Sequence, residues 1–328
     1  MVLRNQEGVS ENMRQRVLEA VEYLRAAEEI KTAEEVSTTN GWRTGAHTEG
    51  KVSSLLVLHP INYNYSAVFH EILRGVQAAA AVYQLQLSLA FNDANLLNHS
   101  FEEFYFSNTL VKPLGVLVIG ARREEPLVAR LCDRSIPVVL VGRKSGDSRA
   151  SAVGRNEEEM ACEVTNYLFD LGHRKIAFFG ASEEFDYAVD RLRGYRKTCE
   201  QRGGALDDYL VHPGFDSQSS ANLLLEHPDI TAAVFLNDLL ASQVVPHVQA
   251  AGRCVPDDLS VVAFDDTEIA RNFDPPLTTV SFPFFQEGFW AVRLIMEQVR
   301  QPTVVSAQVI LGASLVKRMS CCVPKNVS

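Results

Sequence analysis

The amino-acid sequence predicts an α/β protein of two doubly wound parallel-sheet lobes, preceded by a partial all-α segment. Three observations carry that reading. From residue 52 onward, short apolar runs alternate with amphipathic stretches, as parallel strands joined by crossover helices do. The alternation runs once, breaks at a polar loop over 142–152, and then starts again. The runs themselves are apolar at successive positions, as in VVAF at 261–264, which is how strands buried on both faces read.

Size and charge agree with two cores and narrow the function. A chain of 328 residues can bury two hydrophobic cores. No apolar run approaches the ~20 residues that span a bilayer. The amino terminus lacks the apolar core and cleavage site of a secretory signal, so the cytoplasm is the expected compartment. A formal net charge of −10 means that most of this mass is not a nucleic-acid surface, although one small basic module could still bind DNA. Six cysteines, at 132, 162, 199, 254, 321 and 322, form no CxxC and have no histidine at ligand spacing. Reduced thiols are expected, with no metal and no cofactor.

The elements follow in order. Residues 9–24 read as a helix, with Ser10 as N-cap, Glu11 in the first turn and a stripe of Met13, Val17, Val21 and Leu24. Residues 26–51 are polar and read as a linker. A strand at 55–58, a helix at 68–85 and a strand at 87–91 follow. Then come a helix near 101–111, strand 115–119, helix 125–133 and strand 137–141. The second series is helix 157–171, strand 176–179, helix 191–202, strand 209–211 and helix 217–226. Strand 232–236, helix 239–251, strand 261–264 and, after Pro275-Pro276, strand 277–280 complete it. A long helix at 286–300 and a terminal strand at 307–316 close the chain. Right-handed crossovers between such strands give two lobes facing a cleft.

Ligands of open α/β sheets collect beyond the carboxyl ends of strands, so the residues there are the candidates. Asp265 ends an apolar run; its carboxylate either accepts hydroxyl groups of a polyol or caps the following turn. Asp266 points elsewhere, because successive side chains diverge. Arg191 offers a planar donor fork for hydroxyl pairs or carboxylates, or else sits in a surface ion pair. Asn237 can donate and accept at once, which suits a hydroxyl-bearing ligand; it could equally cap the helix from 239, a role assigned to Asp238. No GxSxG elbow, P-loop or GxGxxG is present, so no catalytic residue is expected.

Several stretches resemble the lactose-repressor (LacI/GalR) family of bacterial transcriptional regulators. They are SVVAFDDTEIARNFDPPLTTV at 260–280, Gly172-His173-Arg174-Lys175, RLRGY at 191–195 and Asn237-Asp238 after a strand. The resemblance covers essentially everything after residue 52 and is strongest over 154–300. It implies a periplasmic-binding-protein-like clamshell over 52–328, with lobe 1 at about 52–152 and 283–303 and lobe 2 at about 153–281 and 307–328. The same resemblance implies that Asp265, Arg191 and Asn237 hold a small polar effector, a sugar or sugar derivative. Phe69 matches a cleft position or belongs to the core. Other positions depart from the family: Gly142-Arg143 stands where an effector-holding Asp is common, and Gly214-Phe215-Asp216 displaces the stacking aromatic. Phe215 therefore either stacks on a ligand or packs inside. The loop INYNYS at 61–66 is longer than usual, and its Tyr63 and Tyr65 either meet a sugar face or stay in an exposed loop.

Residues 1–25, VLRNQEG and the helix after it, resemble the end of the family's helix-turn-helix headpiece. That implies that the two preceding helices, including the major-groove reader, would lie before Met1, so no base-reading residue is assigned through them. GWRTG at 41–45 partly resembles the hinge segment, which would place Trp42 as a minor-groove wedge with Arg43 beside it. A disordered linker is the competing reading. The expected partners are the effector, operator DNA if the headpiece is complete, and a second copy of the chain, with 68–85 as a dimer-packing candidate. Two other functions stay open: an effector-binding protein that has lost DNA binding, and a solute-binding or sensing protein.

Overall fold

Strands apolar on both faces need cover on both faces, and this requirement organises each lobe. The computed structural model describes residues 53–60, 66–92, 113–120, 123, 126–212, 216–301 and 306–325. The first sheet contains β1 (Ser54–Pro60), β2 (Gln86–Asn92), β3 (Val116–Ile119), β4 (Val138–Val141) and β5 (Ser151–Arg155). With β11 (Gln308–Leu311) at one edge it runs in the order β2-β1-β3-β4-β5-β11, parallel throughout. One face carries Leu56, Leu58, Val116, Val118 and Leu140 against helix α2 (Pro126–Asp133). The other carries Leu55, Val57, Leu117 and Val139 toward α1 (Ser66–Val82) and α8 (Phe284–Arg300).

The second lobe repeats the plan. Helix α3 (Glu157–Asp170), β6 (Ile176–Phe179), α4 (Asp186–Arg202) and β7 (Val211–His212) come first. Helix α5 (Ser217–Glu226), β8 (Ala232–Phe235), α6 (Asp238–Ala250), β9 (Ser260–Phe264), α7 (Glu268–Asn272) and β10 (Thr278–Ser281) follow. The sheet order is β7-β6-β8-β9-β10-β12, with β12 (Ser314–Val316) antiparallel to β10. His173 pins the tail to this lobe: its ring nitrogens meet Thr231 Oγ1 at 2.8 Å, and Ser260 Oγ and the Cys322 carbonyl at 3.0 Å each.

Two expectations need correction. Residues 307–316 form two strands, not one, because Gly312-Ala313 breaks the run: β11 joins the first sheet and β12 the second. The tail therefore contributes to both lobes, whereas 307–328 was expected in lobe 2 alone. Residues 151–155 form a strand although 151–152 read as the end of a polar loop and 153–155 as no element; pairing with β4 and β11 overrides their composition. The alanine-rich helix turns Ala79 and Ala80 into the lobe and leaves Gln77 and Ala81 exposed. The helix expected near 101–111, the helix 9–24 and the linker 26–51 lie outside the described residues.

The chain crosses between lobes at Asn156, at 282–283 and at 312–313, and the three crossings lie side by side. Leu311 pairs with Arg155 in the parallel ladder, and the Arg155 guanidinium sits 5.0 Å from the Phe282 ring and 5.1 Å from Phe284. Helix α8 then returns to lobe 1, where it meets α1 backbone to backbone: a Cβ on Gly288 would lie 1.9 Å from the Ile72 carbonyl oxygen. Gly288→Ala is thus expected to lower stability by about 1–3 kcal/mol in urea unfolding. Gly312→Ala, whose added Cβ meets nothing within 4 Å, is expected to leave the midpoint unchanged.

Candidate functional site

The carboxyl ends of both sheets face one cleft, about 680 Å³ with the open solvent at its mouth included. From the first lobe come His59 at the end of β1, Phe69 and Ile72 on α1, and Gly142 and Arg143 after β4. From the second come Phe185, Tyr187 and Arg191 around the start of α4, Asn237 after β8 and Asp265 after β9. Two ring pairs line its walls. His59 stacks on Phe69 at 3.9 Å with 17° between the rings, and Phe185 stacks on Tyr187 at 5.5 Å.

At the floor, the backbone takes two consecutive left-handed residues, Asp265 (φ 104°) and Asp266 (φ 51°). Aspartate tolerates this region better than most residues, yet φ near 100° is strained. Both amides stay tied to β10 through the turn: Asp265 N–H donates to the Val280 carbonyl at 2.8 Å, and Asp266 N–H to Thr279 Oγ1 at 3.4 Å. The turn sends the two carboxylates apart. Asp266 pairs with Arg318 at 2.5 Å and lies 3.7 Å from Arg271, outside the cleft, while Asp265 faces inward.

Asp265 meets Arg191 rather than open space. The Arg191 guanidinium is buried, donating from Nε to Glu157 Oε2 (2.6 Å), from Nη1 to the Leu236 carbonyl and from Nη2 to Asp265 Oδ1 (3.3 Å). It also lies 4.4 Å from the Phe264 ring centre. The surface ion pair considered for Arg191 is therefore a buried one. The chain of charges continues: Arg155 Nε lies 2.9 Å from Glu157 Oε1 and 3.1 Å from Glu287 Oε1, and Arg155 Nη2 donates to the Gly142 carbonyl. Glu287–Arg155–Glu157–Arg191–Asp265 thus joins three carboxylates through two guanidiniums, with one negative charge in excess. Burial first, then repulsion from Glu157 and Asp265, pushes Glu287 up to about 7 against the pull of Arg155. Asp265 also moves upward through burial, with Arg191 and Arg155 pulling the other way.

Asn237, not Asp238, caps the following helix, and Asp238 serves neither the cap nor the cleft. Asn237 is the N-cap of α6, its Oδ1 accepting from Leu240 N–H at 2.8 Å, and it still lines the cleft. Asp238 accepts from Thr267 N–H (2.7 Å), Thr267 Oγ1 (3.1 Å) and Thr279 Oγ1 (2.7 Å), clamping the segment after the strained turn. Burial and the nearby Asp265 push it up to about 7. Phe69 sits in the cleft wall, half-buried. Tyr63, Tyr65, Phe215, Trp42 and Arg43 lie outside the described residues. Sequence reasoning missed His59, Phe185, Tyr187, Arg155 and Glu287. The run Phe185-Asp186-Tyr187 just before RLRGY was a usable signal; Glu287 read as an ordinary helix acid.

The charge chain predicts a pH effect. A carboxyl group whose pKa rises on folding adds stability below its ordinary value and loses it as pH climbs through the folded value. Glu287 therefore contributes most below about 4.5 and loses its contribution by about 7. Glu287→Gln, which stays neutral, is expected to flatten the fall in melting temperature between roughly pH 5 and 7.5, leaving the part due to Asp238. An unchanged slope would mean that Glu287 titrates as an ordinary glutamate.

Comparison with known proteins places these features among relatives. Residues 165–321 match the periplasmic binding protein-like domain family. The chain is 31% identical over 213 residues to the HTH-type transcriptional regulator CelR of Thermobifida fusca, covering 63% of each chain. It is 27% identical over 331 residues to catabolite control protein A of Priestia megaterium, covering 97% of this chain and 93% of that one. A solved CelR–cellobiose complex superposes with a TM-score of 0.75 at 25% identity, over 96% of this chain and 92% of that chain.

Proposed function

The chain belongs to the LacI/GalR family of transcriptional regulators, and on that premise we propose that its clamshell binds a small polar effector, a sugar or sugar derivative, between the lobes. It is a regulator, not an enzyme. The observation that supports the ligand class is the build of the cleft: ring faces at His59–Phe69 and Phe185–Tyr187, with polar groups gathered at the floor. Such a site suits a sugar ring, whose apolar face stacks on aromatics while its edge hydroxyls seek acceptors and donors. The matched relative was solved with cellobiose, which makes that disaccharide the first probe.

In this reading Asp265 accepts a ligand hydroxyl with the oxygen not engaged by Arg191. Arg191 acts mainly by fixing that carboxylate, since three of its five N–H donors are already committed. Asn237 adds its amide, and Phe69 a stacking face; Tyr63, Tyr65 and Phe215 are further proposed contacts. Ligand bound to both lobes favours the arrangement in which both sets of contacts form, and that differential affinity moves the first lobes of a homodimer. The amino-terminal segment, with Trp42 and Arg43, would carry the change to operator DNA in the cytoplasm. Among the described residues no helix is long and apolar enough to cross a membrane.

A thermal-shift panel of cellobiose and related sugars tests this reading. A ligand at about 100 times its Kd adds about 2.7 kcal/mol of stability. Asp265→Asn and Phe69→Ala are each expected to weaken the active sugar at least about tenfold, the cost of one buried polar or aromatic contact. Failure of every sugar to shift the wild-type chain, or shifts in both variants as large as the wild type's, would overturn the assignment.

A further inference from the structure

The lips of the cleft carry opposite charges, and the charges meet. Arg143 leaves β4 through Gly142 (φ 83°) and is braced on its own lobe, Nε donating to the Lys144 carbonyl at 3.1 Å and Nη2 to the Arg123 carbonyl at 3.2 Å. So held, its Nη2 reaches across the cleft to Asp186 Oδ2 at 2.7 Å. Arg123 Nε lies 3.5 Å from the other oxygen of Asp186, and Lys144 Nζ lies 3.6 Å from Asp190 Oδ2. A backbone bond joins the same lips, with Arg123 N–H donating to the Glu184 carbonyl at 2.8 Å. Asp190 is shared with Arg193 at 2.5 Å, which makes its cross-cleft pair the weaker one. The Arg143 side chain is 10% exposed and that of Asp186 25%, so this pair is screened less than an open surface pair.

We infer that Arg143 and Asp186, seconded by Arg123, form a latch across the lips that stabilises the closed arrangement of the two lobes. Asp186 suits the role by position: it stands in the first turn of α4, the helix whose Arg191 anchors the cleft floor. Salt, which weakens the lip pairs, therefore increases the open fraction. The inference does not depend on which molecule the cleft binds, nor on DNA binding.

Hydrogen exchange on the full chain without ligand tests it, because each substitution can be read on the opposite lobe. Arg143→Ala is expected to speed exchange at amides 184–187 of lobe 2. Asp186→Ala is expected to speed it at Arg123 and at 142–144 of lobe 1. Both effects should be roughly two- to fivefold, as the loss of a partly exposed ion pair allows. Raising salt to about 0.5 M should produce the same bilateral change in the unaltered chain. Lys175→Ala, which removes an ion pair within lobe 2, serves as the control and should leave both lips unchanged. Changes confined to the substituted lobe, or no salt effect at the lips, would overturn the latch.

Discussion

The structure depends most on one buried line of alternating charge, Glu287–Arg155–Glu157–Arg191–Asp265. Every link is short, from 2.6 to 3.3 Å, and the side chains are almost wholly withdrawn from water. Removing such groups from water is expensive, and replacing an ion network with apolar residues of the same volume often does no harm to stability. Taking away one partner is different: it strands a buried charge at a cost of about 3–5 kcal/mol. The line is therefore poor as a source of stability and strict as a specifier of geometry. It fixes where Asp265 points, and it does so from the hinge.

Its position explains how the lobes are organised around it. Arg155 ends β5 and Glu157 opens α3, so these two flank the first crossing; Glu287 lies in the first turn of α8, just past the second. Arg155 also lies beside Leu311, where the third crossing begins. The floor of the cleft is thus wired to all three segments that must bend if the lobes move. The strained Asp265–Asp266 turn sits at the far end, held by Asp238 and Thr279. A ligand that withdraws charge from Asp265 changes the balance along the whole line, which gives the proposed effector response a physical route. The lip pairs act at the opposite rim, so cleft opening is opposed from both ends.

Much of the fold was legible because its strands are buried on both faces: the unbroken apolar run at 261–264 announces a central parallel strand wherever it occurs. The edges were harder. Residues 151–155 include Ser151, Gly154 and Arg155, and only the ladders on either side make them a strand. The switch of sheets at 312–313 carries no local signal beyond a single glycine. At the site, the sequence offered Asp265, Arg191 and Asn237, and the fold brings all three to one cleft. What it could not offer was their mutual commitment. Residues 191 and 265 are 74 positions apart, and nothing in either neighbourhood states that the guanidinium is held by the carboxylate. Glu287 is the extreme case, because an acid near the start of a helix is ordinarily solvated and favours the helix dipole, and only tertiary packing buries it.

The central claim is that the cleft floor and the hinge share one electrostatic unit, and the titration of Glu287 tests it most directly. Carboxyl carbon NMR of the full chain, with the signal assigned by its loss in Glu287→Gln, should give a midpoint near 7. Neutralising the far end with Asp265→Asn removes a repelling charge and should lower that midpoint. A midpoint in the ordinary glutamate range, or one that does not move when Asp265 is neutralised, would contradict the account.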